Sequence, residues 1–562
     1  MQHIRVPVLV VGGGLTGLSS AMLLAWRGVR VLVVERHAST ARWPLARGVN
    51  PRTMELLQVI PGLEDDLQAA SPQSFVDFAV VVAESVTGRE LSVIQPRREL
   101  STTVCPRAAM CGIGQQHLEA VLLRHARLLS ADVRFSTVMT ELIQDADGVY
   151  ATLRDLNSGI KTKVHADYLI AADGGRSGVR KSLDVDMHGL GTISHSILIF
   201  FEANLRDVVK RPGFVVYNLQ NPNFAGAFVP TDHPNIGEVV VEYDPQRESV
   251  DDYTDERCIG MVRAALGVPD LTMRVLDVRP WEMSAFVADR MAVGRVFLAG
   301  DAAHTMPPTG GLDSQTSMQD AADLAWKLAL VLQHKAGPQL LDTYEMERHP
   351  VAEITVARQV ANYVERVRPD WSELNAPGAT GDIYETAGGY RYRSAAIISD
   401  GPDDGQPTED PFHPTGRPGF RVPHVWLERD GVRISTLDLV GHEFVLFAGR
   451  EGGAWAEAAH QTSSALGITV ECFRIGVDLV EANSDALTRL GITESGASLV
   501  RPDGFVAWRC RDGDANAVDV LSDALQRLLF RNPRSCEASR PRAPSSHDDD
   551  YPMFPVGVPS FA

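Results

Sequence analysis

The chain has 562 residues, 44% of them hydrophobic, and a formal net charge of −19. That length supports a large core and two or three domains. The acidic balance argues against nucleic acid or an anionic membrane as partner, since either selects clustered Lys and Arg.

No apolar run reaches the ~18 residues of a membrane-crossing helix, and the first residues carry no cleavable signal pattern. Six cysteines (Cys105, Cys111, Cys258, Cys472, Cys510, Cys536) form no CxxC. Together these features predict a soluble cytoplasmic protein with inert, packing cysteines, acting on small molecules.

In chain order, the first element is an apolar strand, Val6–Val11, followed by Gly12, Gly14 and Gly17 in GxGxxG spacing. Such glycines permit a tight turn, a close approach of backbone to pyrophosphate, and helix-on-strand packing. Leu15 and Thr16, within this glycine turn, are candidate cofactor contacts, and the free N–H groups of the helix that follows face that diphosphate. The helix is predicted over Leu18–Arg27, stopping at Gly28. A second strand, Val29–Val34, ends in Glu35, placed to hold an adenosine ribose, with Arg36 beside it. An acid here also predicts an adenosine without a 2′-phosphate.

A second apolar strand, Tyr168–Ala172, ends on Asp173-Gly174, with Ser177 and Arg180 following. Between 185 and 285 come short β-rich segments parted by turn residues, read as a sheet with one face over a pocket. Phe200, Tyr217, Phe228 and Tyr243 are its candidate aromatic lining, and the stretch 75–106 is a candidate second wall.

A third strand runs into Gly300-Asp301, then His304 and Pro307-Pro308-Thr309-Gly310-Gly311. His304 reads as a structural strand-end histidine. The helix after Leu312 carries Met318, Ala322, Ala325, Ala329 and Leu332 as a buried stripe, with Asp323 and Lys327 an i,i+4 pair. Its N-terminus, through Gly310, Gly311, Leu312 and Asp313, would aim N–H groups at an electron-rich edge of a bound ligand.

Three strand-end sugar and phosphate turns in this order describe FAD lying across the fold. At this point the chain resembles the single-component FAD aromatic hydroxylases related to para-hydroxybenzoate and phenol hydroxylase, and within them the bacterial aromatic-polyketide hydroxylases. The likeness spans roughly 5–365 strongly and 405–530 more loosely.

The resemblance implies a glutathione-reductase type Rossmann-like α/β FAD domain (1–184 and 286–400), an inserted mixed β-sheet substrate domain (185–285) and a C-terminal thioredoxin-like domain (405–530). Residues 531–562 read as a largely disordered tail. It further implies that Arg47, in Ala46–Leu57, and Gln115 touch FAD. Asp301 and Pro308 would lie along the ribityl side, and Asp173 and Arg180 would support both FAD and transient NAD(P)H. The family usually has glycine and asparagine where this chain has Asp313 and Gln315. Asp313 is a reasonable N-cap, but its charge would oppose a reduced, anionic flavin.

By the same resemblance, NADPH or NADH reduces FAD, O2 adds at C4a, and the hydroperoxyflavin hydroxylates an electron-rich polycyclic phenol in antibiotic biosynthesis. The cofactor carries the hard chemistry, which accounts for the absence of Ser-His-Asp order, HExxH or a metal-ligand cluster in the sequence. No phenol-deprotonating base can be assigned. A single GxGxxG leaves no separate nicotinamide domain. The C-terminal region has no CxxC and is expected to be structural or a dimer contact, in a monomer or homodimer. Competing readings are a Baeyer–Villiger or multi-step oxygenase on the same scaffold, and a non-catalytic FAD-binding protein; a flavin halogenase lacks its Trp-x-Trp here.

Overall fold

The structure, a computed structural model, describes residues 2–71, 78–94, 111–211, 214–374, 383–481 and 485–531. The predicted tail and much of the proposed second wall lie outside the described residues.

The strand Gln2–Val11 occupies the middle of a parallel sheet. The order is Asp132–Arg134, Val31–Val34, Gln2–Val11, Lys161–Ala171, Val296–Leu298. Val8, Leu9 and Val10 are wholly buried, as a strand covered on both faces requires, and this explains the unbroken apolar run. Helix Leu15–Trp26 packs between Gln115–Leu128 and Asp313–Leu332. It begins three residues before the predicted Leu18, and its neighbouring strand starts at Val31 rather than Val29. Gly28 follows the helix at φ +79°, as predicted.

A second sheet of eight strands is mixed. Long antiparallel strands Met187–Ala203 and Met273–Ala288 carry Ile236–Glu242, Phe224–Pro230 and Phe214–Asn221 in turn. Phe78–Ala83 then joins Phe214–Asn221 in parallel. His304–Thr305, just after Asp301, pairs with Phe286 and Val287, so the third motif runs directly into this sheet. One face buries Ile197, Ile199, Phe201 and Val239 against helix Asp255–Leu266.

In the C-terminal third, Phe444–Ala448, helix Gly453–Leu466 and Val470–Arg474 form a parallel βαβ unit, extended by the antiparallel strands Ala497–Val500 and Val506–Cys510. Trp455, Leu499 and Leu525 belong to the same hydrophobic cluster as the first sheet.

Polar contacts join these layers too. Arg501 donates to both carboxylate oxygens of Glu347, at 2.6 and 2.9 Å. Lys327 Nζ lies 2.7 Å from both Asp323 and Glu347. The predicted Asp323–Lys327 pair therefore exists, but inside the molecule: both side chains are at most 2% exposed.

Candidate cofactor and active site

The glycine turn is sterically determined. Gly12 has φ +110°, and a Cβ there would lie 2.0 Å from Ala172 O; one on Gly17 would lie 1.9 Å from Gly12 O. A Cβ on Gly14, by contrast, would meet only Glu119 Oε1, at 3.7 Å, so that side of the turn is open. Leu15 and Thr16 are buried in the first helical turn. Glu35 accepts from Gly13 N–H at 2.7 Å and from His37 N–H at 2.8 Å, which fixes the carboxylate at the strand end. Arg36 is exposed.

Glu119 was not anticipated as part of this site. It is buried, accepts from Ala41 N–H (2.6 Å) and Gln115 Nε2 (2.8 Å), and burial raises its pKa. Gln115 also accepts from Ala46 N–H at 3.0 Å. The polar atoms of Gln115 thus anchor the 41–46 loop, a role that only the fold reveals.

Asp173 accepts from Ser177 Oγ (2.5 Å) and from the N–H groups of Gly178 and Val179, capping the short helix Gly178–Ser182. Arg180 donates to Gly175 O (3.2 Å) and Ala302 O (3.0 Å). Its guanidinium is buried and staples the second motif to the third. This is the arginine expected, with Asp173, to support FAD and transient NAD(P)H.

At the third motif, Gly300 has φ +61°, and a Cβ there would approach Thr16 Oγ1 to 2.3 Å. Its N–H donates to Asp320, which also accepts from His304 Nε2 (2.8 Å) and Arg348 Nε (2.7 Å). His304 is fully buried in this network, the structural histidine expected. Asp301 is exposed, yet burial by surrounding protein raises its pKa. Both observations fit a side chain opening onto a deep trench.

The following loop is held from behind. Thr309 Oγ1 donates to Gln359 O (2.7 Å), Gln359 Nε2 to Pro307 O (3.2 Å) and Arg366 to Thr309 O (2.6 Å). Pro308 and Gly311 are exposed. Gly311 has φ +65°, and a Cβ added there would meet nothing within 4 Å. The N-cap of the Asp313–Leu332 helix is Leu312, not Asp313, and no side chain caps it. Gln315 donates to Gly48 O (2.9 Å) and accepts from Asn50 N–H (3.0 Å). Its long side chain thereby ties the helix to the Arg47–Val49 strand.

The second sheet supplies the opposite wall. Arg47 pairs with Glu238 in a buried contact and donates to Pro44 O at 2.9 Å, so its charge joins the sheet to the FAD-binding half. The same side chain is the one expected to reach FAD. Burial raises the pKa of Glu238, and Arg47 opposes that shift.

The aromatic lining is also corrected. Tyr217 and Phe228 sit in the core under helix Asp255–Leu266, and Tyr243 packs at that core's margin. Phe200 lies on the other face but is covered by Trp43, whose ring stacks on it at 4.4 Å. The half-exposed residues on this face are Phe214, Val216, Asn218, Ala227 and Val240. Strand parity distinguishes the two sets, because successive side chains alternate between faces.

The residues present fit FAD. Gly14 and Gly311 leave backbone accessible where a side chain would intrude, and Asp301 presents a carboxyl between them in sequence and along the strand ends. A parallel sheet with such turns at its carboxyl edge, facing an apolar sheet, defines a flavin-dependent oxidoreductase.

Comparison with known proteins narrows this class. A family model described as FAD binding domain matches residues 5–359, and one described as aromatic-ring hydroxylase, C-terminal, matches 415–531. The chain is 42% identical to aklavinone 12-hydroxylase of Streptomyces purpurascens, over 94% of this chain and 100% of the relative. It is 40% identical to tetracenomycin A2 monooxygenase-dioxygenase of Streptomyces glaucescens, over 94% and 98%. The crystal structure of a ternary complex of aklavinone-11 hydroxylase with FAD and aklavinone superposes with a TM-score of 0.88 at 42% identity, covering 94% of this chain and 100% of that one. The chain belongs to the FAD-dependent aromatic-ring hydroxylase family, and it is a FAD-binding monooxygenase.

Proposed function

We propose that this enzyme hydroxylates a polycyclic aromatic, polyketide-type phenol in antibiotic biosynthesis, consuming NADPH or NADH and O2. The observation that carries the substrate class is the half-exposed apolar face of Phe214, Val216, Ala227 and Val240, on the side of the second sheet away from helix Asp255–Leu266. The naming of its relatives for aklavinone and tetracenomycin supports the same class.

When bound, FAD supplies the oxygen-activating chemistry. In this reading Gly12, Gly14, Leu15, Thr16 and Gly17 take the diphosphate and Glu35 the adenosine ribose. Asp301 and Pro308 take the ribityl side, and the N–H groups of Gly310, Gly311, Leu312 and Asp313 serve the flavin ring. Arg47 and Gln115 also contact FAD, and Asp173 and Arg180 support both FAD and transient NAD(P)H. The Arg47–Glu238 contact and the Trp43–Phe200 stack exclude water between the two sheets, which strengthens every electrostatic interaction inside.

We also retain the division into a FAD-binding part (1–184 with 286–400), a substrate sheet (185–285) and a thioredoxin-like part (405–530). The βαβ unit with appended antiparallel strands supports the last. A structural role is consistent with its burial against the first sheet.

The test is NADPH consumption by the purified flavoprotein across a panel of polyketide phenols, with product mass and NMR. Consumption without oxygenated product would refute the hydroxylase reading. A second reading, oxygenation in more than one step, is favoured by the tetracenomycin relative, named a monooxygenase-dioxygenase; a product gaining more than one oxygen would establish it.

A further inference from the structure

We propose that Asp313 stands in the flavin site as the neutral carboxylic acid, so that the start of the Asp313–Leu332 helix presents hydrogen-bond donors without a negative charge. The inference rests on the FAD reading above.

The geometry leaves one oxygen of an ionised Asp313 without support. The residue is half-buried, and its Oδ1 is enclosed with no hydrogen-bond partner, whereas a carboxylate ordinarily accepts several. The charged groups around it come from three elements. On its own helix is Asp320, and on the strand-end turn are Asp301 and His304. Helix Thr343–Arg366 brings Arg348 to Asp320 and Arg366 to the loop before Leu312.

Each cation is committed elsewhere. His304 Nε2 and Arg348 Nε meet Asp320, Arg348 also donates to Thr316 O at 3.2 Å, and Arg366 donates to Thr309 O. What faces Asp313 electrostatically is acid: burial, then Asp301, then Asp320 push its pKa well above the ordinary value.

The helix N-terminus pulls the other way, but its dipole acts weakly and only over the first turn. An enclosed carboxylate oxygen with no donor costs more than that dipole returns. The neutral form wins. Held so, Asp313 adds an O–H donor to the N–H groups of Gly310, Gly311 and Leu312 and sets no charge against an electron-rich flavin edge.

Infrared spectra of the flavin-loaded protein at pH 7 test this directly. The wild type should show a protonated-carboxyl C=O band that Asp313→Asn lacks. In the same pair, the temperature of flavin release should favour the variant increasingly from pH 5 to pH 8. An acid kept neutral forgoes the ionisation its unfolded form gains above about pH 4, so the wild type loses stability as pH rises through that window.

Identical carboxyl bands, or a variant whose advantage does not grow with pH, would overturn the proposal. Asp313→Gly repeats the comparison if the asparagine variant does not fold. Flavin content is scored separately: a wild-type protein that binds no FAD refutes the FAD reading, while the band still reports on Asp313.

Discussion

Gly17 and Gly311 show two opposite uses of a missing side chain. At Gly17 a methyl would lie 1.9 Å from Gly12 O, so the first helical turn cannot rest on its strand with any larger residue. We expect Gly17→Ala to lose bound flavin and more than about 1–3 kcal/mol of stability, the usual range for overpacking; absorbance-based flavin content and urea denaturation check both. Asp301→Ala should remove most FAD while leaving the unfolding midpoint of the apoprotein nearly unchanged, because Asp301 opens onto the trench rather than the core. Full flavin occupancy in that variant would displace Asp301 from its proposed role. The glycines and Glu35 were legible in sequence because their spacing reflects local geometry. The protein acceptors of Arg47 and Arg180 were not: Glu238 and Ala302 lie far along the chain, 191 and 122 residues away.

Strands and helices were legible where periodicity is local, including the parallel strand ends; the stripe expected after Leu312 was not, because that helix is buried on every face from Gln315 to Ala329 while Leu332 is only half-buried. The orientation of the second sheet was not. Alternation in Phe214–Asn221 separates two faces but does not say which one meets helix Asp255–Leu266. Had that helix's buried Cys258, Val262, Ala265 and Leu266 been paired with the strands, Tyr217 and Phe228 would have fallen to the core. The observed face yields a specificity test. Ala227→Phe should raise KM for a polycyclic substrate by about tenfold, in the range expected for a pocket losing volume, without changing flavin content; steady-state kinetics decides. At the loop, Arg366→Ala removes the donor to Thr309 O and should weaken FAD binding several-fold, measured by flavin fluorescence on dilution.

For the molecule as a whole, the buried cluster of Lys327, Asp323, Glu347, Arg501 and Asp503 couples the C-terminal third to the FAD-binding sheet. Its three carboxylates have a spacing suited to a cation, but Lys327 and Arg501 already occupy that position. Removing one member strands the others, so Arg501→Ala should cost about 3–5 kcal/mol, measured by denaturant titration.

The cluster also titrates. Arg501 and Lys327 hold Glu347 down to about 2 against burial, so it stabilises the fold above its ordinary value of 4.5, and that contribution is lost as pH falls toward about 2. Asp323, buried and sharing Lys327 with Glu347, is pushed up to about 7. Its cost therefore grows as pH climbs from about 4 to about 7. Asp323→Asn should compare better with the parent at pH 8 than at pH 4 in thermal melts. None of this was visible in sequence beyond the Asp323–Lys327 spacing.

That shared charge cluster constrains how such enzymes can be recombined. A chimera that takes residues 1–400 from this chain and its remainder from a relative inherits Lys327 and Glu347 from one parent and the groups facing them from the other. Unless the donor supplies an arginine and an aspartate at the positions of Arg501 and Asp503, the seam will hold unmatched ions. Crossover points are better chosen so that all five residues travel together.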